Sequence, residues 1–446
     1  MNTGRSFSFR LSPFQTILIG FVIVILIGSF ILMLPISSRS GQVTPFFDCL
    51  FMSTSVTCVT GLLLYDTAAY WSPFGQAVIL CLIQIGGLGV VTVASSVAVL
   101  AGRKIGLAQR NTLQESISAP QIGGIVKYTF FTLKYVFMIE ILGILLLLPV
   151  MIKDYGPAKG VWYSVFHAIS AFCNAGVDLM EGGKSFADYS GNVYFNVVIM
   201  ILVFSGGIGY LTWKDIAEKG IHISRYKVQS KLILSMSAAL IVIPAMFFYF
   251  NDLRTDRYDM SGGERVMASI FTSVNMRTAG FSTIDYSSLS SASHVLMMML
   301  ILIGGAPGST SGGIKITTFA VLVMGMSATF RRRESTVAFG RRIPQNTVRN
   351  AYSVFAMYIF ILITAALLIN IADGLAVDEC LFETTSALGT TGIEAGIIDH
   401  MSIFSKIIVM FLAFWGRIGG LTLIYAAMSS KKVEPYRLPE EDINIG

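Results

Sequence analysis

The hydrophobic residues of this chain lie in long, almost uncharged runs that are separated by short polar segments. Eight runs approach or exceed the roughly 20 apolar residues that a helix needs to cross a bilayer. They cover about 14–35, 74–101, 128–152, 193–213, 231–250, 293–328, 351–372 and 402–428. A shorter apolar stretch follows every second run, at about 45–58, 161–174, 265–276 and 376–389. As helices the short stretches would be about 20 Å long, less than the ~30 Å hydrocarbon core, so each is predicted to enter the membrane and return.

The ends of the four short stretches repeat one pattern. The segments are FMSTSVTCVTGL (51–62), FHAISAFCNAGV (166–177), IFTSVNMRTAGF (270–281) and FETTSALGTTGI (382–393), and their copies are 104 to 115 residues apart. Each ends in a small residue, a glycine and a hydrophobic residue. A Gly-Gly pair follows 24 to 30 residues later, at 86–87, 206–207, 304–305 and 419–420. The pattern indicates four tandem copies of one helix–pore helix–loop–helix unit.

Four loops inside a membrane constrain the fold. Irregular backbone at membrane depth is tolerated only where protein buries it or where it lines a water-filled cavity. We therefore predict an all-α integral membrane protein with eight transmembrane helices and four re-entrant pore helices around a pseudo-fourfold pore. Alternatively, the repeats are duplicated packing modules whose glycines allow close helix contact. Packing alone does not explain why every short stretch ends in glycine after threonine or alanine.

The repeats divide the chain into nine segments. The four pore repeats are 14–101, 128–213, 231–328 and 351–428, and the third contains a predicted intramembrane loop at 304–318. The other segments are predicted to be cytoplasmic; they are 1–13, 102–127, 214–230, 329–350 and the tail 429–446.

Composition agrees with a membrane protein. Hydrophobic residues make up 54% of the 446 residues and charged residues only 13%, whereas soluble domains carry about a quarter charged residues. The first run is too long for a secretory signal and lacks its cleavage site, so it is interpreted as a transmembrane helix that is not cleaved. The five cysteines form no CxxC pair and lie mostly in apolar runs, which argues against disulfides and metal sites.

The charges predict the orientation. Basic residues cluster in Arg5, Arg10; Arg103, Lys104, Arg110, Lys127; Lys214, Lys219, Arg225, Lys227, Lys231; Arg331, Arg332, Arg333, Arg341, Arg342, Arg349; and Lys431, Lys432, Arg437. The intervening polar segments carry mainly acids, namely Asp66, Asp178, Glu181, Asp188, Asp252, Asp256, Asp259, Asp285, Asp373, Asp378, Glu394 and Asp399. By the positive-inside rule the basic segments and both termini are cytoplasmic, in a multi-pass protein of the cell membrane. A nucleic-acid surface would need a soluble basic face, and the chain has no such domain.

The loops carry residue types that suit a bare monovalent cation. Rings of backbone carbonyl oxygens can replace its hydration shell, glycine permits the dihedral angles that turn carbonyls to one side, and a helix C-terminus adds partial negative charge. An anion pore would favour Lys or Arg, and a Ca²⁺ site would favour a ring of Asp or Glu. The predicted selectivity filter comprises Val59, Thr60, Gly61, Asn174, Ala175, Gly176, Thr278, Ala279, Gly280, Thr390, Thr391 and Gly392. K⁺ is expected at the carbonyls of Thr60, Gly61, Ala175, Gly176, Ala279, Gly280, Thr391 and Gly392.

Three charged residues fall in or beside membrane segments. Arg277 precedes the third loop and is predicted to be a buried brace that pairs with an acid behind the filter, with direct gating as the alternative. Charges at membrane depth are costly and are often functional. Lys134 is expected to extend to the cytoplasmic interface, and Glu140 to pair between helices.

A glycine-rich segment interrupts the second helix of repeat 3. As one helix, 293–328 would be about 54 Å long, but five glycines and a proline lie within 304–318 and break it. We predict an unwound gating loop under the filter, with a proline-kinked helix as the alternative. Arg417 is predicted to be a structural charge on loop carbonyls, a cationic barrier, or both. The gate residues are Gly304, Gly305, Ala306, Pro307, Gly308, Ser309, Thr310, Ser311, Gly312, Gly313, Lys315 and Arg417.

These motifs resemble the Trk/Ktr/HKT potassium transporter superfamily, most closely the membrane subunit of bacterial Ktr systems. The resemblance rests on VTGL (59–62), NAG (174–176), RTAGF (277–281), GTTGI (389–393), QIGGLG (84–89), GG…GSTSGGIK (304–315) and GRIGGLT (416–422), and it covers about 14–428. Two residues depart from the family pattern: Met276 stands where proline is common, and Val177 where phenylalanine is common.

The resemblance implies a K⁺ uptake subunit with its filter at the four loop glycines and its gate at 304–318 and Arg417. It also implies a homodimer, a cytosolic ring of nucleotide-binding RCK subunits, and uptake with Na⁺ as an activator. Family members with serine at the first filter glycine tend to conduct Na⁺, and this chain has Gly61 there. No organic cofactor is expected.

A secondary transporter and an intramembrane enzyme are the two alternative functions. A secondary transporter that alternates access would show inverted or paired repeats, whereas these four units share one orientation. An intramembrane enzyme would need a catalytic motif, and the chain has no HExxH, GxSxG or paired intramembrane aspartates, so no enzymatic activity is expected.

Overall fold

The computed structural model describes residues 11–101, 105–117, 123–254, 260–420 and 422–423. Several predictions fall outside these ranges: the cytoplasmic tail 429–446, most of the N-terminal segment, and the charges Arg5, Arg10, Arg103, Lys104, Asp256, Asp259, Lys431, Lys432 and Arg437.

Repeats 1 and 2 begin with long apolar helices. The elements of repeat 1 are α1 (Pro13–Leu32), the pore helix α2 (Phe46–Thr57), α3 (Pro73–Leu88) and α4 (Val90–Leu100), and α5 (Leu107–Ser116) follows in the connecting segment. Repeat 2 contains α6 (Ile125–Cys173), α7 (Val193–Gly207) and α8 (Tyr210–Lys219). Helix α6 breaks at Gly156, whose φ is 77°, and Pro157 follows it. The break separates the first helix from the pore helix, as the sequence predicted.

Repeats 3 and 4 follow the same order. Repeat 3 consists of α9 (Val228–Phe248), the pore helix α10 (Gly262–Asn275), α11 (Ser291–Leu302) and α12 (Ile316–Phe330). A hairpin of β1 (Val337–Ala338) and β2 (Arg341–Arg342) leads to α13 (Gln345–Asp373), the pore helix α14 (Val377–Gly389) and α15 (Ile403–Ile418). The predicted fold class is confirmed: a helical membrane protein of four tandem repeats, each with one re-entrant pore helix.

The helices begin where the sequence offers caps. The side chains of Ser12, Ser72, Ser290 and Ser402 accept hydrogen bonds from first-turn N–H groups of α1, α3, α11 and α15. Ser261 and Glu264 form a capping box at α10. These bonds satisfy backbone donors that a helix N-terminus leaves unpaired.

The second helices of the repeats differ from the prediction. Among the described residues, four helices are long and apolar enough to cross a membrane, and the pairs α3–α4 and α7–α8 pass the same test only as spans bent by 93° and 101°. The sequence predicted a break in repeat 3 alone. Instead, Gly89 and Gly209 end α3 and α7 with φ of 86° and 81°, and Gly419 ends α15 with φ of 90°. Side chains rarely adopt these values, so glycine is needed at each bend.

Repeat 3 has the largest break. The chain between α11 and α12 is not helical from Ile303 to Lys315, which excludes the proline-kinked helix. Helix α12 begins at Ile316, so the last three residues of the predicted loop are helical.

The core surrounds the pore helices. In α2 every residue from Phe51 to Thr57 is buried, including four hydroxyl-bearing side chains. By contrast, only 28–33% of the apolar windows of α1, α6, α9 and α13 are buried, and residues such as Phe30, Ile141, Ile243 and Phe360 are exposed. This arrangement, with polar groups inside and apolar groups outside, is the one expected in lipid.

Gly86 provides a test of the contact between second helix and pore helix. A Cβ atom at Gly86 would overlap the carbonyl oxygen of Thr57, the last residue of α2. We expect Gly86→Ala to destabilise the protein by about 1–3 kcal/mol because the overlap forces the backbones apart. Thermal unfolding in detergent measures the effect. Gly263→Ala, where an added methyl would meet nothing within 4 Å, is the control, and equal melting temperatures of both variants would contradict the contact.

Candidate functional site

Each pore helix ends in the same unusual backbone conformation. Val59, Asn174, Thr278 and Thr390 all have positive φ, at 57°, 59°, 68° and 54°, although none is glycine. The glycine two residues later also has positive φ, at 85°, 67°, 83° and 80° for Gly61, Gly176, Gly280 and Gly392. Three of the four non-glycine residues are β-branched, for which this region is an outlier that costs about 1–3 kcal/mol. Surrounding contacts must therefore impose the shape. We name the segments 59–61, 174–176, 278–280 and 390–392 the four pore loops.

Hydrogen bonds from the loops back to their helices fix this turn. The N–H groups of Thr60, Ala175 and Thr391 bond to the carbonyls five residues earlier, at Ser55, Ser170 and Ser386, over 2.8, 2.9 and 3.0 Å. This is the six-to-one bond of a Schellman turn. In repeat 3 the N–H groups of both Ala279 and Gly280 bond to Asn275 instead. The exception is the repeat that has Val274 where the others have serine.

The four pore loops meet in a closed ring. A Cβ atom on Gly61 would collide with the carbonyl oxygen of Ala175, and one on Gly176 would lie 3.0 Å from that of Ala279. A Cβ atom on Gly280 would collide with the carbonyl oxygen of Thr391, and one on Gly392 with that of Thr60. Each loop thus touches the next, and the last touches the first. The structure brings all twelve predicted loop residues together around one axis.

The carbonyl oxygens of the ring accept no hydrogen bond from the described residues. Within the described residues, no hydrogen bond reaches a carbonyl oxygen of any of the twelve loop residues. Buried backbone carbonyls are nearly always paired, and those of Thr60, Ala175, Ala279 and Thr391 belong to fully buried residues. The C-terminal ends of four pore helices, with their partial negative charge, point into the same region. Such a ring has the chemistry of a cation site.

A vestibule of about 700 Å³ opens on one side of the ring, with the four loop glycines among its lining residues. Every repeat contributes an acid to it: Asp66, Asp178, Asp285, and Glu394 with Asp399. Lys184 is the one basic side chain among the described lining residues. The excess of negative charge raises the local concentration of cations. The sequence predicted only that these acids lie on the external side of the membrane.

Two vestibule carboxyls titrate near neutral pH. Glu394 is exposed to the vestibule, but the surrounding protein removes part of its hydration and, together with the charge of Asp399, raises its pKa to about 7. Burial raises the pKa of Asp178 to about 6, although the N–H of Met180 donates to its carboxylate over 2.9 Å. Glu394 also accepts a hydrogen bond from the N–H of Leu63 over 3.1 Å. This bond joins repeat 4 to the chain that leaves the first pore loop.

The segment 303–315 lies on the other side of the ring. Its ends pair with each other, because the N–H of Gly304 bonds to the carbonyl of Ile314 over 2.8 Å. Between them, Ala306 and Thr310 donate backbone N–H groups to the carbonyls of Gly207 and Gly206. These bonds give the unwound chain partners that lipid could not offer.

The same segment touches the pore loops directly. The Thr310 hydroxyl donates to the carbonyl of Phe172 over 3.1 Å, and the Asn174 side-chain amide and the Ser311 hydroxyl lie 2.7 Å apart. A Cβ atom on Gly312 would collide with the Thr390 side chain. The Lys315 ammonium donates to the Ser311 carbonyl over 2.6 Å. The predicted gate residues are therefore packed under the ring.

Arg417 links three repeats. Its guanidinium donates to the carbonyls of Gly86, Gly87 and Thr310, with 2.8 Å to Gly87. Arg417, Lys315 and Ser311 line a small cavity of about 100 Å³ on this side. Of these three carbonyls only that of Thr310 belongs to the predicted loop, whereas Gly86 and Gly87 belong to α3.

Contacts at the bends correct the register of repeat 4. A Cβ atom on Gly86, Gly206 or Gly416 would overlap the carbonyl oxygen of Thr57, Phe172 or Leu388, respectively. Each of these glycines precedes the bend glycine by three residues. The counterpart of the earlier Gly-Gly pairs is therefore Gly416-Arg417 and not 419–420. Arg417 occupies the position that Gly87 and Gly207 hold in the first two repeats.

The structure also shows where the other three charged residues singled out in the sequence, Glu140, Lys134 and Arg277, lie. Glu140 is buried and accepts two hydrogen bonds from the Gln84 side chain, over 2.9 and 3.1 Å, which confirms an interhelical partner. Lys134 is exposed near the start of α6. Arg277 is buried as predicted, but no described acidic side chain pairs with it, and its Nε lacks a hydrogen-bond partner there. The prediction that Arg277 pairs with an acid is therefore wrong for the described part of the chain.

Comparisons with known proteins agree with this geometry. A family described as TrkH, cation transport protein, matches residues 9–436. The chain is 36% identical to the potassium/sodium uptake protein NtpJ of Enterococcus hirae, over 98% of each chain. It is 33% identical to the Ktr system potassium uptake protein B of Bacillus subtilis, over 98% of this chain and 97% of that protein. The crystal structure of the potassium transporter TrkH from Vibrio parahaemolyticus superposes with a TM-score of 0.73 at 16% identity, covering 96% of this chain and 87% of the other.

The family match and the relatives identify the chain as a membrane transporter of cations rather than an enzyme. The chain belongs to the TrkH family of cation transport proteins and is similar over its full length to Ktr potassium uptake proteins. The resemblance found in the sequence motifs is thereby confirmed.

The vestibule acids predict a pH dependence. With a raised pKa of about 7, Glu394 gains its negative charge between pH 6 and 8. Cation uptake at subsaturating concentration should rise about two- to fivefold over that interval, because one more charge lies near the ring. Glu394→Gln should flatten the profile. Uptake by membrane vesicles at external pH 6, 7 and 8 measures it.

The matched control is Glu379→Gln, which removes an exposed acid from the first turn of α14, away from the lining residues of the vestibule. Its profile should follow the parent. A Glu394→Gln profile as steep as that of the parent would rule out this source of the pH dependence.

Proposed function

We propose that this protein is the ion-translocating subunit of a K⁺ uptake system and that K⁺ passes through the four pore loops as through a channel. The observation that carries the proposal is the ring of buried carbonyl oxygens that lack hydrogen-bond partners among the described residues. A dehydrated K⁺ ion needs such oxygens and no fixed negative charge. The eight carbonyls of Thr60, Gly61, Ala175, Gly176, Ala279, Gly280, Thr391 and Gly392 would be its ligands.

The absence of charge at the ring favours a monovalent ion. None of the twelve loop residues is acidic or basic, so a divalent ion would lose more hydration energy than neutral carbonyls return. The acids lie in the vestibule, where they attract cations without holding them. One relative is named for both potassium and sodium uptake, which agrees with Na⁺ as a second ion of this system, in the role of activator.

The segment 303–315 is the proposed gate. It contacts the ends of the second, third and fourth pore helices through Thr310, Gly304 and Gly312, so it lies across the path that an ion would take from the ring. Its backbone bonds run to glycine carbonyls of α7 and α15. A small movement of these helices would therefore break several of its contacts together.

Two cations strengthen this barrier. Lys315 and Arg417 line the same small cavity under the ring. A unit charge about 4 Å from a K⁺ ion costs on the order of 4 kcal/mol at an effective dielectric constant of 20. Arg417 also supports structure, since it bonds to three carbonyls, and the two roles act together.

The orientation and the partners complete the proposal. Basic residues on α8 and around the β1–β2 hairpin support a cytoplasmic location of these elements by the positive-inside rule, and both termini would lie on that side of the cell membrane. There a nucleotide-binding RCK-type ring would contact a homodimer of this chain. The similarity to Ktr system proteins supports this assembly.

Removing the segment tests the gate. The N–H of Gly304 already bonds to Ile314, so deletion of 305–313 joins two points that are in contact. We expect a severalfold rise in K⁺ flux in proteoliposomes because the obstruction is gone, and Arg417→Gln should give a smaller rise because it removes one charge. Lower or equal flux in correctly inserted protein from the deletion would refute the gate.

The first loop glycine tests the ring. Gly61→Ser adds a side chain at a φ of 85° that would collide with the Ala175 carbonyl. One carbonyl should turn away, and the hydroxyl then offers a smaller ligand, so Na⁺ uptake should rise relative to K⁺ uptake. A change of about 1.4 kcal/mol shifts this ratio tenfold.

The control is Gly41→Ser, which has a φ of 69° but no neighbour within 4 Å. Initial rates of K⁺ and Na⁺ uptake in a host that lacks its own K⁺ uptake give the ratio. An unchanged ratio in Gly61→Ser at normal expression would mean that the ring does not select the ion.

A further inference from the structure

In three of the four repeats, a side chain of the pore helix accepts a hydrogen bond from the chain that leaves the pore loop, at one repeated position. The position lies nine residues before the loop glycine, and its partner is the N–H three residues after that glycine. In repeat 4 the Glu383 carboxylate accepts from the N–H of Ala395 over 3.0 Å. In repeat 2, Nε2 of His167 accepts from the N–H of Leu179, also over 3.0 Å. The same bond is thus made by two different side chains.

Repeat 1 uses a third side chain at this position. The sulfur of Met52 lies 3.4 Å from the N–H of Leu64, and sulfur is a weak acceptor. Repeat 3 has Phe271, which offers no acceptor. All four side chains, Met52, His167, Phe271 and Glu383, are completely buried. Three unrelated residue types, Met52, His167 and Glu383, accept from the corresponding N–H group in their repeats, which indicates that the fold uses the bond and not the residue type.

Repeat 3 has a substitute. The N–H of Phe186, in the outer loop of repeat 2, donates to the Ser282 carbonyl over 2.9 Å, and the Ser185 hydroxyl accepts from the Ser282 N–H over 3.2 Å. The Phe186 ring stacks on Phe281 at 4.7 Å and meets the His167 ring edge-on at 5.3 Å. The third loop is therefore held by the loop of repeat 2, which in turn rests on His167.

We infer that Glu383 and His167 are positioning residues for ion selection. Neither touches the ion path. Each side chain holds the backbone that follows its pore loop, so that the carbonyls beside the loop glycine keep their separation. Without the hydrogen bond, a buried N–H group loses its acceptor and the loop relaxes. This inference rests on the proposed filter, because it assigns these residues to the selectivity of that ring.

Leucine and glutamine variants separate the hydrogen bond from packing. Glu383→Leu and His167→Leu remove the acceptor and should each lower the K⁺/Na⁺ uptake ratio about three- to tenfold, the range expected for one lost hydrogen bond. Glu383→Gln keeps an oxygen acceptor and should stay within about twofold of the parent. Phe271→Leu, at the same position in a repeat without this bond, is the matched control and should also stay within about twofold.

The full-length protein in proteoliposomes, with initial K⁺ and Na⁺ uptake measured on one preparation, gives a ratio that is independent of the amount inserted. If Glu383→Leu does not insert, Glu383→Met, with the weak acceptor of repeat 1, should give an intermediate ratio. A parental ratio in Glu383→Met and His167→Leu would overturn the inference, as would an equal loss in Phe271→Leu.

Gly61→Ser is run beside them. If Gly61→Ser lowers the K⁺/Na⁺ ratio and the leucine variants do not, only this inference fails. If Gly61→Ser and the leucine variants all leave the ratio unchanged, the proposed filter fails.

Discussion

The convergence of four helix C-termini on unpaired carbonyl oxygens is the constraint on which this structure depends. Partial negative charges that face one another at close range repel, and hydrogen-bond acceptors without donors are costly when buried. The conformation is held even so, with β-branched residues at positive φ in three of four loops. Strain of this kind persists where the surrounding structure over-determines it. A cation at the centre would relieve the repulsion.

The surroundings fix each loop from several sides. Glycines of the second helices press on the pore-helix backbone at Thr57, Phe172 and Leu388, and the acceptors on the pore helices hold the outgoing chain. The backbone of the four pore loops is nearly fourfold symmetric, but the contacts that hold the loops differ between the repeats. Repeat 3 is the exception each time: it lacks the serine of the turn and the acceptor on the pore helix, and its second helix is interrupted by an unwound segment, whereas those of repeats 1 and 2 are bent. Its unwound segment is the one that crosses under the ring.

The bent second helices connect this ring to the gate. Glycine at the bend lets the backbone turn by about 90°, and the carbonyls freed near the bends accept from Arg417 and from the 303–315 segment. In repeat 4, Arg417 stands at the position of Gly87 and Gly207, and its guanidinium bonds to carbonyls of repeats 1 and 3. Gly206 and Gly416 contact both the pore helices and the 303–315 segment, so the ring and the proposed gate are supported by the same second helices.

The sequence by itself determined the four repeats, the re-entrant helices, the loop residues and the unwound segment, because hydrophobic run length and glycine placement are local signals. It missed the bends at Gly89 and Gly209, since an isolated glycine in an apolar run is compatible with a continuous helix. It also placed the last Gly-Gly pair three residues too late and expected an acid beside Arg277. The acceptors at Met52, His167 and Glu383 look unrelated in sequence, and Glu394 meets Leu63 across 331 residues. Only the tertiary structure decides such pairs, because a hydrogen bond between distant segments depends on where packing brings them.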